Sequence, residues 1–98
     1  MDKSRIIAKL REHELELRAA GIVRLSLFGS VARGDANAQS DVDLLADFDR
    51  SKRITLVTLG SLESRLADML GVKVDLSSPD WMKEPVRNQA LRESVLAF

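Results

Sequence analysis

The sequence contains no cysteine, which rules out a disulfide framework and any thiolate metal site. It has no surplus of charge, since 15 basic and 15 acidic residues cancel to a formal net charge of zero. No global field therefore draws the chain to nucleic acid. A chain without net charge is poorly protected against association, which favours a life in a complex. No apolar run reaches membrane-spanning length, and Met1-Asp2-Lys3-Ser4-Arg5 leads into no signal-peptide core. A cytoplasmic protein with no membrane partner and no direct nucleic-acid contact is the expectation.

What is present fits a small globular protein: 98 residues, 45% of them hydrophobic and 31% charged, enough for one domain over residues 1–98 with one modest core. With the sequence ending at Phe98, no second domain is expected. From Ser4 to Ala20, Ile6, Leu10, His13, Leu17 and Ala20 recur at helical spacing, with Gly21 as the stop. His13 is read as packed in the core or at a partner interface. Ile22 to Phe28 alternates and predicts a strand, and small polar residues from Asp35 to Gln39 predict a loop. Val42 to Phe48 predicts a second strand. Arg50-Ser51-Lys52-Arg53 is read as a solvated basic turn, with a phosphate or an acidic partner surface as the alternative. A helix from Thr55 to Leu70 would bury Leu56, Leu59, Leu62, Leu66 and Met69 or Leu70.

Val72 to Leu76 predicts a third strand, with Lys73, Asp75 and Ser77 opposite the core face. A final helix is expected from Glu84 to Leu96, with Pro85 in its first turn. There Val86, Ala90, Leu91 and Val95 point inward, and Arg87, Arg92 and Glu93 outward. Trp81 is read as covering the core, with stacking on a base as the alternative. The whole is an α/β (α+β) fold, a small mixed sheet of about three strands flanked by helices.

The chemistry gathers in one stretch. Between Asp35 and Asp49 stand five acids and no Lys or Arg, in a chain otherwise balanced in charge. If Val42 to Phe48 is a strand, Asp41 and Asp43 point the same way, about 6.5 to 7 Å apart at Cα. Like charges at that distance repel, and a hard divalent cation such as Mg²⁺ removes the conflict. A lone Asp-x-Asp is more often a solvated turn with a few scattered acids. Upstream, however, Gly29-Ser30 follows the first strand, where a Gly lets backbone N–H groups approach an anion and Ser30 adds a hydroxyl that would also cap a short helix, Ser30 to Gly34. Gly29 and Gly34 have Walker A spacing, but Asp35 stands where that motif needs Lys. The acids from Asp41 to Asp49 lack the central Gly of a calcium loop.

Gly29-Ser30, ten intervening residues and Asp41-Val42-Asp43 resemble the signature of the DNA-polymerase-β-like nucleotidyltransferases. Gly-Ser-Val-Ala-Arg-Gly-Asp-Ala with Ser-Asp-Val-Asp-Leu-Leu resembles their minimal nucleotidyltransferase (MNT) branch over nearly the whole chain. The resemblance implies the nucleotidyltransferase fold, with Gly29 and Ser30 on nucleotide phosphates; in such a reaction Arg33 is expected to offset the charge of departing pyrophosphate. It implies two Mg²⁺ held by Asp41 and Asp43, with Asp75 as the third catalytic and metal-binding carboxylate, and ATP as substrate. It also implies a partner, because MNT antitoxins pair with HEPN-domain ribonuclease toxins as hetero-oligomers and transfer AMP to a tyrosine of the toxin. A non-catalytic binding partner that neutralises by contact is the rival expectation, and an enzyme acting on a small molecule is a third.

Overall fold

The computed structural model describes residues 2–34 and 41–98; the loop expected from Asp35 to Gln39 lies outside the described residues. Helix α1 (Lys3–Glu12) starts where the Asp2 carboxylate accepts the Arg5 N–H at 2.9 Å, an acidic N-cap on an orphan donor. The expected single helix is broken at His13, after which α2 (Glu14–Ala19) continues. His13 is half-exposed rather than sealed in the core, and its Nδ1 contacts Glu16. Glu16 also accepts from Arg65 at 3.1 Å, and His13, with Arg65 adding to it, holds this carboxyl below its usual range.

Strand β1 (Ile22–Phe28) leads into the short helix α3 (Gly29–Arg33), and β2 (Val42–Phe48) follows. Helix α4 (Leu56–Leu70) is capped by Thr55, whose hydroxyl accepts from Thr58 N at 3.1 Å. Strand β3 (Val74–Ser77) starts two residues later than expected. A 3₁₀ turn, Pro79–Trp81, leads to α5 (Glu84–Glu93), and β4 (Val95–Leu96) ends the sheet. The strand order is β3-β2-β1-β4. β1 runs antiparallel to both β2 and β4, and β2 parallel to β3.

The fourth strand replaces the end of the expected last helix. Ser94 turns extended, with φ −68° and ψ 146°, and Val95 and Leu96 pair with Leu27 and Ser26. Arg11 Nε donates to Ala97 O at 2.7 Å, tying this end to α1. Two residues are too few to display a period-2 pattern, so the helical reading ran through them.

Ile6, Leu10, Leu17, Leu25, Leu27, Leu44, Leu62 and Leu66 are fully buried between helices and sheet, as their spacing requires. Leu56 is not, at 86% exposed. A helical side chain leans toward the N-terminus, and at the first position no earlier turn lies beneath it. Val86 and Leu91 are also largely exposed, and of α5 only Ala90 is buried. Trp81 is half-exposed and stacks on Phe48, ring centroids 5.6 Å apart. It thus covers the core at its edge, as expected.

Candidate active site

The register of the sheet assembles the acids. Phe28, the last residue of β1, sits opposite Asp43, so the turn at Gly29 begins beside that carboxylate. On the other side of β2, Asp43 pairs with Asp75 in parallel register, about 4.8 Å away across neighbouring strands. Asp41 lies two residues before Asp43, and the adjoining Val42 N–H donates to Lys73 O at 2.9 Å. Asp43 and Asp41 are half-buried and Asp75 is exposed on the edge strand. Lys73 Nζ lies 3.9 Å from Asp41 Oδ2.

Gly29 has φ +75°, and a Cβ there would fall inside van der Waals contact of Asp43 Oδ2 and 3.2 Å from Asp43 Cγ. Only glycine satisfies both the backbone and the close carboxylate. Ser30 is the second residue of α3, whose N-cap is Phe28 with no side-chain cap, so the capping role expected for its hydroxyl is not the one it fills. Arg33 Nη1 donates to Glu93 Oε2 of α5 at 3.1 Å. Glu93, expected to face outward, is turned toward Arg33; the two are 60 positions apart, so no local pattern could have revealed it.

Burial raises the Asp43 pKa above the usual carboxylate range, and the charges of Asp75 and Asp41 add to it, while Arg33 works against them. Crowded carboxylates with too little positive charge nearby describe a position suited to a cation. The donor set is all carboxylate oxygen, hard and anionic, which fits Mg²⁺. The residues present therefore fit the expected ions, although among the described residues no three His, Cys, Asp or Glu already close around one metal position. Phosphate oxygens would have to complete the coordination.

Residues 5–97 match the model of the nucleotidyltransferase domain. The chain belongs to the nucleotidyltransferase domain family. It is 38% identical over 87 residues to the protein adenylyltransferase MntA of Thermococcus cleftensis, covering 88% of this chain and 86% of that protein. Its fold is similar to the solved structure of a candidate minimal nucleotidyltransferase, with a TM-score of 0.82 at 37% identity, covering 97% of this chain and 95% of that one. It also shares the fold of a chain in the complex of a tri-AMPylated HEPN toxin of Shewanella oneidensis with an MNT antitoxin. That TM-score is 0.68 at 17% identity, covering 93% of this chain and 70% of that one. As a nucleotidyltransferase with relatives named adenylyltransferases, the chain has a mixed four-stranded sheet where about three strands were expected.

Proposed function

We propose that this chain is an antitoxin that transfers AMP from ATP to a hydroxyl, a tyrosine side chain, of a partner HEPN ribonuclease toxin and thereby silences it. The observation that carries the reading is the pairing of Asp43 with Asp75 across β2 and β3, beside a Gly29 that a side chain would obstruct. Asp41, Asp43 and Asp75 would hold two Mg²⁺. When bound, such ions neutralise triphosphate charge and acidify the acceptor hydroxyl.

Gly29 and Ser30 bind the phosphates, the missing side chain at Gly29 leaving its backbone close beside Asp43. Arg33, which lines the same pocket as Gly29, offsets the charge that grows on the leaving pyrophosphate. Asp75 takes the proton of the acceptor hydroxyl. The acceptor oxygen forms its bond to the α-phosphorus, the bond from that phosphorus to the α,β-bridging oxygen breaks, and pyrophosphate departs with the electron pair. Catalysis of this kind is mostly positioning and charge neutralisation.

The test is incorporation of label from α-labelled ATP into a co-expressed HEPN toxin. Wild type should label the toxin, and the double variant Asp41→Ala, Asp43→Ala should not. A second reading, neutralisation by contact, is favoured by the apolar surface of Ile54, Leu56, Leu59 and Trp81 around a pocket of about 320 Å³. If the double variant protects cells as well as wild type does, contact is the working mechanism. Incorporation into a small molecule with no protein partner present would instead favour the third expectation.

A further inference from the structure

Strand β3 delivers Asp75 from the edge of the sheet, where only β2 lies beside it. An edge strand turns half of its backbone donors away from its neighbour, and each needs an acceptor from elsewhere. At Leu76 that acceptor is Glu63 of α4, whose Oε2 takes the Leu76 N–H at 2.8 Å from 13 positions away in sequence. Leu62 and Leu66, beside Glu63 on the helix, are buried, so α4 is itself fixed against the core. Among the described residues Glu63 forms no ion pair, and this is the only hydrogen bond of its carboxylate.

The bonded N–H belongs to the peptide that joins Asp75 to Leu76. That peptide is trans, so its carbonyl points the opposite way, to the side on which the Lys73 carbonyl accepts from Val42 N of β2. Register with β2 holds Asp75 from the inside, and Glu63 holds the peptide after it from the outside. Leu76 is buried, but burial fixes its side chain, whereas the bond to Glu63 fixes the twist of the peptide before it. Asp75 is exposed, so its backbone sets where its carboxylate stands.

We propose that Glu63 is a positioning residue for the transfer reaction: by accepting the Leu76 N–H it fixes the peptide that follows Asp75 and keeps that carboxylate level with Asp43. The proposal rests on the part given to Asp75 above. A hydrogen bond to a charged acceptor is among the stronger ones available, and a shift of about 1 Å at a reacting group costs up to about 10²-fold in rate.

Glu63→Met and Glu63→Ala both lose the acceptor, the first keeping the stem, while Glu63→Gln keeps an oxygen that can take the N–H. Thermal melts confirm folding, and rates are taken per folded molecule. In the free protein, hydrogen exchange at the Leu76 amide should be at least about 10-fold faster in Glu63→Met and within about 3-fold of wild type in Glu63→Gln. With α-labelled ATP and a HEPN toxin, kcat should fall about 10- to 100-fold in Glu63→Met and Glu63→Ala, with KM for ATP within about 2-fold, and Glu63→Gln should restore it. In the Asp75→Asn background, Glu63→Met should lower the residual rate no further; a merely structural role would lower it equally in both. A Leu76 amide as protected as in wild type, or a wild-type kcat, in folded Glu63→Met overturns the positioning role alone. Wild-type transfer by Asp75→Asn overturns the role of Asp75 beneath it, whatever Glu63 does.

Discussion

Replacing Gly29 by alanine probes the closest approach in the site. The backbone there has φ +75°, a conformation that costs an L-residue about 1–2 kcal/mol. The new Cβ would also overlap Asp43 Oδ2, with Cγ only 3.2 Å away, so the carboxylate must leave its rotamer at a further cost of about 1 kcal/mol. Together these predict a loss of about 2–3 kcal/mol, or a fall in Tm of at least about 8 °C for a domain this size. Denaturant melts of wild type, Gly29→Ala, Asp43→Ala and the double variant separate the contributions. Without the Asp43 carboxylate, the Gly29→Ala penalty should shrink to the backbone cost, a coupling of about 1 kcal/mol. An identical penalty in both backgrounds would refute the contact between the turn and Asp43.

Other perturbations have equally definite outcomes. Asp43→Asn should stabilise the metal-free protein at pH 7 by about 1 kcal/mol, because burial first and then the charges of Asp75 and Asp41 disfavour its ionised form, discounted for a partly exposed site, while abolishing transfer. The sign follows from the raised Asp43 pKa: the folded state disfavours the ionised carboxyl. The penalty therefore grows as pH rises through the unfolded and then the folded pKa, and the gap in Tm between wild type and Asp43→Asn should close in acid. Mg²⁺ with AMP-PNP should raise the Tm of wild type and leave that of Asp41→Ala, Asp43→Ala nearly unmoved in a thermal melt. Leu66→Ala empties a fully buried site and should cost about 2–5 kcal/mol in denaturant unfolding, without changing transfer per folded molecule. Trp81→Ala forfeits the stack on Phe48 for about 0.5–1.5 kcal/mol and should leave the affinity for AMP-PNP unchanged.

The parts of this protein governed by local rules could be read directly from its residues. Alternation from Ile22 to Phe28 and from Val42 to Phe48 marks both central strands with their observed bounds, and Leu62, Leu66 and Leu70 mark the buried face of α4. Asp75 was legible as an acid on the non-core face of a strand; that β3 would lie parallel to β2 with Asp75 level with Asp43 is a matter of topology, carried into the reading by the family signature. The misreadings occur where long-range contacts override local pattern. Val95 and Leu96 leave the helix because β1 offers them an open edge. Val86 and Leu91 have helical spacing, but the body of the protein covers only the Ala90 side of α5. Glu93, expected to face outward, found Arg33, far away in sequence.

The central claim is that the carboxylate of Asp75, delivered by β3, works with those of Asp43 of β2 and Asp41 just before that strand on one transfer reaction. Asp75→Asn, nearly identical in shape, removes only that charge. Its rate of AMP transfer from α-labelled ATP to a co-expressed HEPN toxin should fall by about 10²- to 10⁴-fold, with an undiminished Tm and the complex with the toxin intact. Transfer at the wild-type rate by folded Asp75→Asn would contradict the account.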